Sequence, residues 1–445
     1  MKPDRALLFC ELPYGNSLDR FAQIRPLGHA VLLDSGDSYQ DHIDVYTAAP
    51  VRTCVLNAQN QDLPQALSDL RHQLKAYEVK ARPNHPAPGW FGVWSYDLGE
   101  ITESIRIKRD DSDLPLLWMG FYPALIVSNH RTRQTQLVTL EGFEAQGEQL
   151  KAAYLSATPE PPHASPADIA FSLVDEFVGD MPPAVYRQLF SQVQEYICSG
   201  DCYQINLAQR FQAPFTGSPW QAYRKLRQQQ TAPMGGYIET EQWALLSLSP
   251  ERFIRCTDRS VEAKPIKGTR PRSADMTMDA QLKYDLQHSD KDRAENLMIV
   301  DLLRNDLGRT CEIGSVRVDK LFDIESFSAV HHMVSTITGT LKPDLDVLDL
   351  LVGAFPGGSI TGAPKRRAME VIEELEPNGR GLYCGSLLYV DVCGRMDSSI
   401  LIRSLVARQG MISCSGGGGV VADSTCDAEY QEIQDKIGNL LKSLQ

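Results

Sequence analysis

Ser289-Asp-Lys-Asp292-Arg-Ala-Glu295-Asn-Leu-Met-Ile-Val-Asp-Leu-Leu303 reads as a helix whose inner face carries a charge. Ser289 and Asp292 have the spacing of a capping box, and Met298, Ile299 and Leu302 make an apolar stripe with a period near 3.6. Glu295 falls on that stripe, and Asp292 lies one turn earlier on a similar side. A carboxylate turned inward needs a cation or a donor, because burying it unpaired is costly. A second segment, Ser424-Thr-Cys-Asp427-Ala-Glu429-Tyr-Gln-Glu432-Ile433, repeats the arrangement. There Ser424 and Asp427 are spaced to cap, and Glu429 and Glu432 flank a stripe of Ile433, Ile437 and Leu440. Carboxylate pairs on two helices suit Mg²⁺, a hard cation that takes few carboxylates and keeps waters for its substrate. Each pair alone reads equally as helix capping, or as an i,i+4 ion pair such as Glu432 with Lys436.

Between these helices lie two glycine-rich segments. Phe355-Pro-Gly-Gly-Ser-Ile-Thr-Gly-Ala-Pro-Lys365 fails the nucleotide P-loop pattern, since Ala363 and Pro364 separate Gly362 from Lys365. An anion cradle remains, with the Ser359 and Thr361 hydroxyls and helix-start N–H groups as donors. Ser415-Gly-Gly-Gly-Gly419-Val-Val reads as a turn from a strand to the last helix, its N–H groups forming a nest for a carboxylate or simply a flexible connection. Arg403 interrupts a strand-like run from Ile400 to Ala407, as a carboxylate clamp or a structural ion pair.

Leu246-Ser-Leu-Ser-Pro-Glu251 places a glutamate just after a strand, and Lys264-Pro-Ile-Lys267-Gly-Thr-Arg-Pro-Arg272 places a lysine where a strand turns. A lysine at its usual pKa of about 10.4 is protonated at neutral pH and is no nucleophile. Partial burial and the neighbouring Lys264, Arg270 and Arg272 are expected to lower it; the alternative is a solvated basic turn.

The chain has 445 residues, 42% hydrophobic and 23% charged, which is ordinary globular composition. A net charge of −13 speaks against nucleic acid or an anionic membrane surface as partner. The apolar part of Ala6 to Phe9 is too short for a signal peptide and no run of about 18 apolar residues occurs, so a cytoplasmic location is expected. Ten scattered cysteines without a CxxC pair read as reduced thiols. The proline-rich stretch Ser156 to Ala167 marks a linker. Strand-like runs at Ala30–Leu33, Gly89–Tyr96, Ala124–Val127, Ala244–Leu248, Ser386–Val392 and Met411–Ser415 alternate with helices at Leu63–Tyr77 and Tyr186–Ser199, which predicts an α+β fold.

Taken in order, these segments resemble the chorismate-utilising family, which includes anthranilate, isochorismate, salicylate and aminodeoxychorismate synthases. The blocks that carry the resemblance are Gly200-Asp-Cys-Tyr-Gln-Ile-Asn-Leu-Ala-Gln-Arg-Phe211, Ser249-Pro-Glu-Arg-Phe253, Pro265-Ile-Lys-Gly-Thr269, Asp292 to Asp306, Phe355 to Lys365 and the four glycines. They run densely from Pro183 to Leu444. The resemblance implies an N-terminal region over 1–155 like that of anthranilate synthase component I, a linker over 156–180 and a chorismate-binding catalytic region over 181–445. It implies one interwoven body in which two sheets wrap a central cleft with helices outside.

Roles follow from the resemblance position by position. Glu295 and Glu432 would hold Mg²⁺, with Asp292 and Glu429 behind bound waters. The ring carboxylate of chorismate would meet the metal and the N–H groups of Gly417, Gly418 and Gly419, while Arg403 and Tyr383 would hold the enolpyruvyl carboxylate. Gln204 and Thr361 would also contact substrate. Glu251 would be the general acid and Lys267 a nucleophile at C2. Anthranilate synthases carry alanine where Lys267 stands, and water-using members carry a base lysine where Gln204 stands. Both positions point to amination at C4, giving 4-amino-4-deoxychorismate for 4-aminobenzoate and folate synthesis. The alternatives are an anthranilate synthase large subunit and a non-catalytic chorismate- or tryptophan-binding paralogue. No cysteine sits in a glutaminase-type elbow and His331-His332 is followed by Met333, so a separate glutamine amidotransferase is expected to supply ammonia. Leu32-Leu-Asp-Ser35 resembles the family's tryptophan pocket, although the usual acid there is glutamate. An L-tryptophan site would be lined by Ser35, Gln40, Asp41, His42 and Ile43 on one side and Pro233, Met234 and Gly235 on the other.

Overall fold

Val31 and Leu32, like Leu245 and Leu246, are neighbours in sequence that end in different cores. Successive strand residues point to opposite faces, so a strand apolar at both parities is buried on both sides. A computed structural model describes residues 5–36, 42–80, 83–109, 114–156, 169–327 and 330–445. Within them two antiparallel sheets form, as the α+β reading expects. The first runs Leu7–Leu12, Gln134–Leu140, Ala124–Asn129, Ile43–Thr47, Val31–Asp34, Met234–Glu239, Trp243–Ser249, Ser404–Arg408, Met411–Val420, Gln204–Thr216 and Val178–Gly179. The second runs Ile266–Pro271, Val330–Thr340, Ser260–Ala263, Arg252–Thr257, Met396–Ile400, Ser386–Asp391, Gly89–Trp94, Leu117–Tyr122 and Arg52–Leu56.

Strands from either side of residues 156–180 lie side by side in both sheets. Leu32 faces Tyr237 in the first and Gly92 faces Leu388 in the second. One core fills the space between the sheets, with Val31, Leu245, Val93 and Leu387, and extends over the outer face of the second sheet, where Trp90 Nε1 donates to the Leu70 carbonyl at 3.2 Å in the helix Leu63–Ala76. The other covers the outer face of the first sheet with Phe21, Trp220, Tyr186, Ile433 and Ile437 from the helices Ser17–Ile24, Pro219–Gln229, Pro183–Cys198 and Cys426–Lys442. Within the expected linker over 156–180, Ser172–Leu173 and Val178–Gly179 pair with Gln204–Thr216; residues 157–168 lie outside the described residues. No described helix is long and apolar enough to cross a membrane.

Two sequence expectations are corrected. Ile400–Ala407 is not one strand. Met396–Ile400 belongs to the second sheet and Ser404–Arg408 to the first, so the chain crosses between sheets at Leu401–Arg403, where Arg403 takes a φ of +50°. The four glycines are not a turn either. They lie inside the strand Met411–Val420, with Gly417 opposite Ala208 and Gly419 opposite Asn206.

Leu32 is fully buried at the junction of N-terminal and later strands. Leu32→Ala should cost about 2–5 kcal/mol, the usual range for a truncated core leucine, measured by denaturant unfolding. A loss below about 1 kcal/mol would contradict the shared core.

Candidate active site

The cleft is built where two strand connections cross between the sheets side by side. Ser249-Pro250-Glu251 leaves the first sheet for Arg252–Thr257 in the second, and Leu401–Arg403 makes the return. The crossings are tied together: Ile400 N–H donates to the Glu251 carbonyl (3.1 Å), Leu248 N–H to the Arg403 carbonyl (3.0 Å) and Ser249 Oγ to the Ile400 carbonyl (2.5 Å). A crossing residue leaves both ladders, so its side chain is free to enter the space between them.

Glu251 is 5% exposed. Burial pushes its carboxyl up to about 7, against the opposing pull of a Ser359 hydrogen bond and the Lys267 charge. Lys267 lies at a bulge, where the register of Ile266–Pro271 against Val330–Thr340 shifts between Ile266 and Thr269 and Gly268 takes a φ of +85°. A bulge re-aims a side chain, and a Cβ on Gly268 would come within 2.9 Å of the Asp292 carboxylate. Burial lowers the Lys267 pKa against the pull of Glu295, with the Lys436 charge adding to the depression. The expected cationic neighbours do not have that role, because carboxylates pair with them: Lys264 with Glu325 at 2.6 Å, Arg270 with Asp292 at 2.8 Å and Arg272 with Asp279 at 2.8 Å.

Glu295 and Glu432 act electrostatically on Lys267, and Lys291 links Glu429 to Glu295. The Lys291 ammonium stands 3.8 Å from an oxygen of both Glu295 and Glu429, bridging the helices Asp290–Thr310 and Cys426–Lys442. Lys436 pairs with Glu432 at 2.6 Å and donates to the Gly417 carbonyl at 3.0 Å. Burial raises the Glu295 and Glu429 carboxyls, whereas the Lys436 ion pair overrides burial and lowers Glu432. Ser289 accepts only the Asp292 N–H, and the Asp292 side chain turns to Arg270. At the last helix Thr425, not Ser424, is the capping position; Ser424 donates instead to Glu429 Oε1 at 2.6 Å.

Glu429 Oε2 is buried without a hydrogen-bond partner, and a Cβ on Gly418 would sit 2.7 Å from it. Among the described residues no three His, Cys, Asp or Glu side chains form a closed ligand set. An orphaned oxygen, a space that only glycine leaves open and an all-carboxylate donor set do fit a hard cation that keeps several waters. The glycines serve as an open strand edge: Met411–Val420 pairs with Ser404–Arg408 only through Cys414, so beyond it one row of backbone groups has no strand partner.

Gln204 is fully buried, neither atom of its amide has a partner, and Gly419 backs against it. Thr361 is fully buried too, but its hydroxyl proton goes to the Gly357 and Gly358 carbonyls at 3.1 and 3.3 Å, leaving it an acceptor and not the expected donor. Tyr383 is buried, its phenol raised well above 10 by burial, and it lines a cavity of about 20 Å³ with Ser404, next to Arg403. The sequence reading missed Lys291 and His332. Lys291 shows only as a charge one turn before Glu295. His332 sits beside Thr269 (2.8 Å), and burial and the Arg403 charge push it down to about 3, so it is neutral.

The tryptophan-pocket walls lie together, since Gly235 faces Asp34 in register. Asp34 is buried and accepts from Tyr223 and Arg227, both at 2.8 Å, while Ser35 donates through N and Oγ to Asp44, also at 2.8 Å. His42 leads into the strand Ile43–Thr47, and Met234 begins the strand after Pro233. Gln40 and Asp41 lie outside the described residues.

The family model described as chorismate binding enzyme matches residues 28–442. The chain belongs to this family. It is 44% identical over 432 residues to aminodeoxychorismate synthase component 1 of Klebsiella aerogenes, covering 94% of each chain. Against the protein of the same name from Escherichia coli K12 it is 43% identical over 443 residues, covering 96% of this chain and 95% of that one. Anthranilate synthase component I from Streptococcus pneumoniae TIGR4 has a similar structure, with a TM-score of 0.79 at 27% identity over 91% of this chain and 93% of that one. Because that fold also appears in an anthranilate synthase, the backbone does not choose the product.

The raised Glu251 pKa has a consequence for stability. Its folded value near 7 exceeds the ordinary 4.5, so the folded state holds the extra proton. The stabilisation from that proton is complete below about pH 4.5 and is lost as pH rises through 7. Across that window the wild type should lose roughly 3 kcal/mol relative to Glu251→Gln, by the conversion of about 1.4 kcal/mol per pKa unit. Parallel pH–stability curves for the two proteins would contradict the assignment.

Proposed function

We propose that the chain aminates chorismate at C4, making 4-amino-4-deoxychorismate, the precursor of 4-aminobenzoate in folate biosynthesis. The observation that carries this reading is Lys267. A half-buried lysine of lowered pKa, aimed by a bulge, lies within electrostatic reach of a buried glutamate of raised pKa. Such a pair holds its proton on the acid and leaves the amine free, which is the division of labour that substitution of a hydroxyl requires.

Neutral Lys267 attacks C2, both ring double bonds shift one position towards C4, and the C4 hydroxyl departs as water with the proton from Glu251. The proton released by the lysine amine returns to the Glu251 carboxylate. Ammonia then attacks C4, both double bonds shift back, and Lys267 leaves C2 as the neutral amine with the Glu251 proton, which the new C4 ammonium restores to the carboxylate. Two successive displacements deliver nitrogen without the inversion that direct attack at C4 would cause. Gln204, an amide without basic character, is consistent with ammonia rather than activated water as the nucleophile. Glu295 and Glu432 would hold Mg²⁺, with Asp292 and Glu429 behind its waters, and the ion would neutralise the ring carboxylate. Arg403 and Tyr383 would take the other carboxylate, next to the open edge at Gly417–Gly419. Ammonia would come from a separate glutamine amidotransferase subunit, in line with relatives named as component 1. L-Tryptophan would seat between the walls at Ser35 and Pro233–Gly235.

Incubating the protein with chorismate, Mg²⁺ and ammonium should give 4-amino-4-deoxychorismate, identified by chromatography and mass. Exhaustive chelation should abolish turnover, and glutamine should replace ammonium only after a glutaminase is added. Anthranilate as product would favour the anthranilate synthase reading; no conversion of chorismate would favour a binding paralogue.

A further inference from the structure

Arg380 and Glu376 form an ion pair buried away from solvent, 7% and 4% exposed. Such a pair gives little stability over apolar side chains of similar volume, because two charges must leave water. Its contacts point to a different use. Every N–H of the guanidinium is engaged. Nε donates to Glu376 Oε2 at 2.9 Å, and Nη2 to Glu376 Oε1 at 2.6 Å and the Asn206 carbonyl at 2.7 Å. Nη1 donates to the Ile360 carbonyl at 2.9 Å and to Cys384 Sγ at 3.7 Å. The guanidinium also lies over the Tyr383 ring, 5.8 Å from its centre.

These contacts reach the immediate surroundings of three expected substrate contacts on three separate segments. Asn206 is two residues from Gln204 and pairs with the Thr361 carbonyl at 2.9 Å; Ile360 precedes Thr361; Cys384 follows Tyr383. Glu376 adds a further tie by accepting the Ala208 N–H at 2.9 Å.

We propose that Arg380, held by Glu376, is a positioning residue that fixes Gln204, Thr361 and Tyr383 relative to one another around chorismate. The proposal rests on the chorismate reading above. A lysine keeps the charge but cannot reproduce five donors in a planar fork, so Arg380→Lys should fold and still lose the alignment.

The test measures chorismate affinity by calorimetry and chorismate KM in turnover for the wild type, Arg380→Lys and the apolar double variant Glu376→Leu/Arg380→Met. Circular dichroism and melting report the folded fraction. Folded variants should bind chorismate at least tenfold more weakly, with KM raised in parallel and the KM for ammonium unchanged. A structural role alone lowers kcat with the folded fraction and leaves affinity and KM as they were. Affinity within twofold of wild type in either folded variant would overturn the proposal. Failure of both variants to fold would also overturn it, by making the pair a folding element. Failure of the wild type to aminate chorismate would count against the proposed function instead, and calorimetric affinity would still decide the role of Arg380.

Discussion

The structure depends on one constraint: two strand connections must pass between the sheets at the same place, and each must satisfy the other. Backbone groups leaving one ladder before joining the next would be buried without partners, which costs as much as lost hydrogen bonds. At Glu251 and Arg403 the two crossings satisfy one another through the Ile400, Leu248 and Ser249 bonds. Glu251 and Arg403 therefore arrive side by side, as a product of closing the backbone. Arg403 takes a φ of +50°, an uncommon backbone for a non-glycine residue, where the surrounding bonds hold it.

Charge is arranged around that point to suit an anionic substrate in an acidic chain. Glu295, Glu429 and Glu432 would repel a carboxylate, and Lys291 and Lys436 offset part of that charge between the two helices. His332 is driven neutral beside Arg403 and does not compete with it as a cation. The cations along Ile266–Pro271 are answered by their own acids, so burial becomes the first cause of the lowered Lys267 pKa.

Much of this was legible in the sequence because it rests on local pattern. The inward placement of Glu295, the helices Leu63–Ala76 and Pro183–Cys198, and the α+β class all follow from periodicity and capping chemistry. What failed is what depends on distant partners. The run Ile400–Ala407 is apolar throughout, and nothing local says that its ends belong to different sheets. Four glycines suggest a turn until the long strand Gln204–Thr216 is there to pair with them. Ser424 and Asp427 had the right spacing for a cap, but the Ser424 hydroxyl accepts from the Val421 N–H and donates to a buried carboxylate instead. The bonds of Arg380 reach a segment 174 residues away in sequence, and no spacing rule reveals them.

The central claim is that Lys267 becomes covalently attached to the substrate. Protein treated with chorismate and Mg²⁺ without ammonia, then digested and examined by mass spectrometry, tests it directly. A substrate-derived adduct, of chorismate less one water, is expected on the peptide containing Lys267, lost in Lys267→Ala and discharged when ammonium is added. Absence of any adduct, in protein that forms 4-amino-4-deoxychorismate once ammonium is supplied and whose Lys267→Ala variant does so at the wild-type rate, would contradict it.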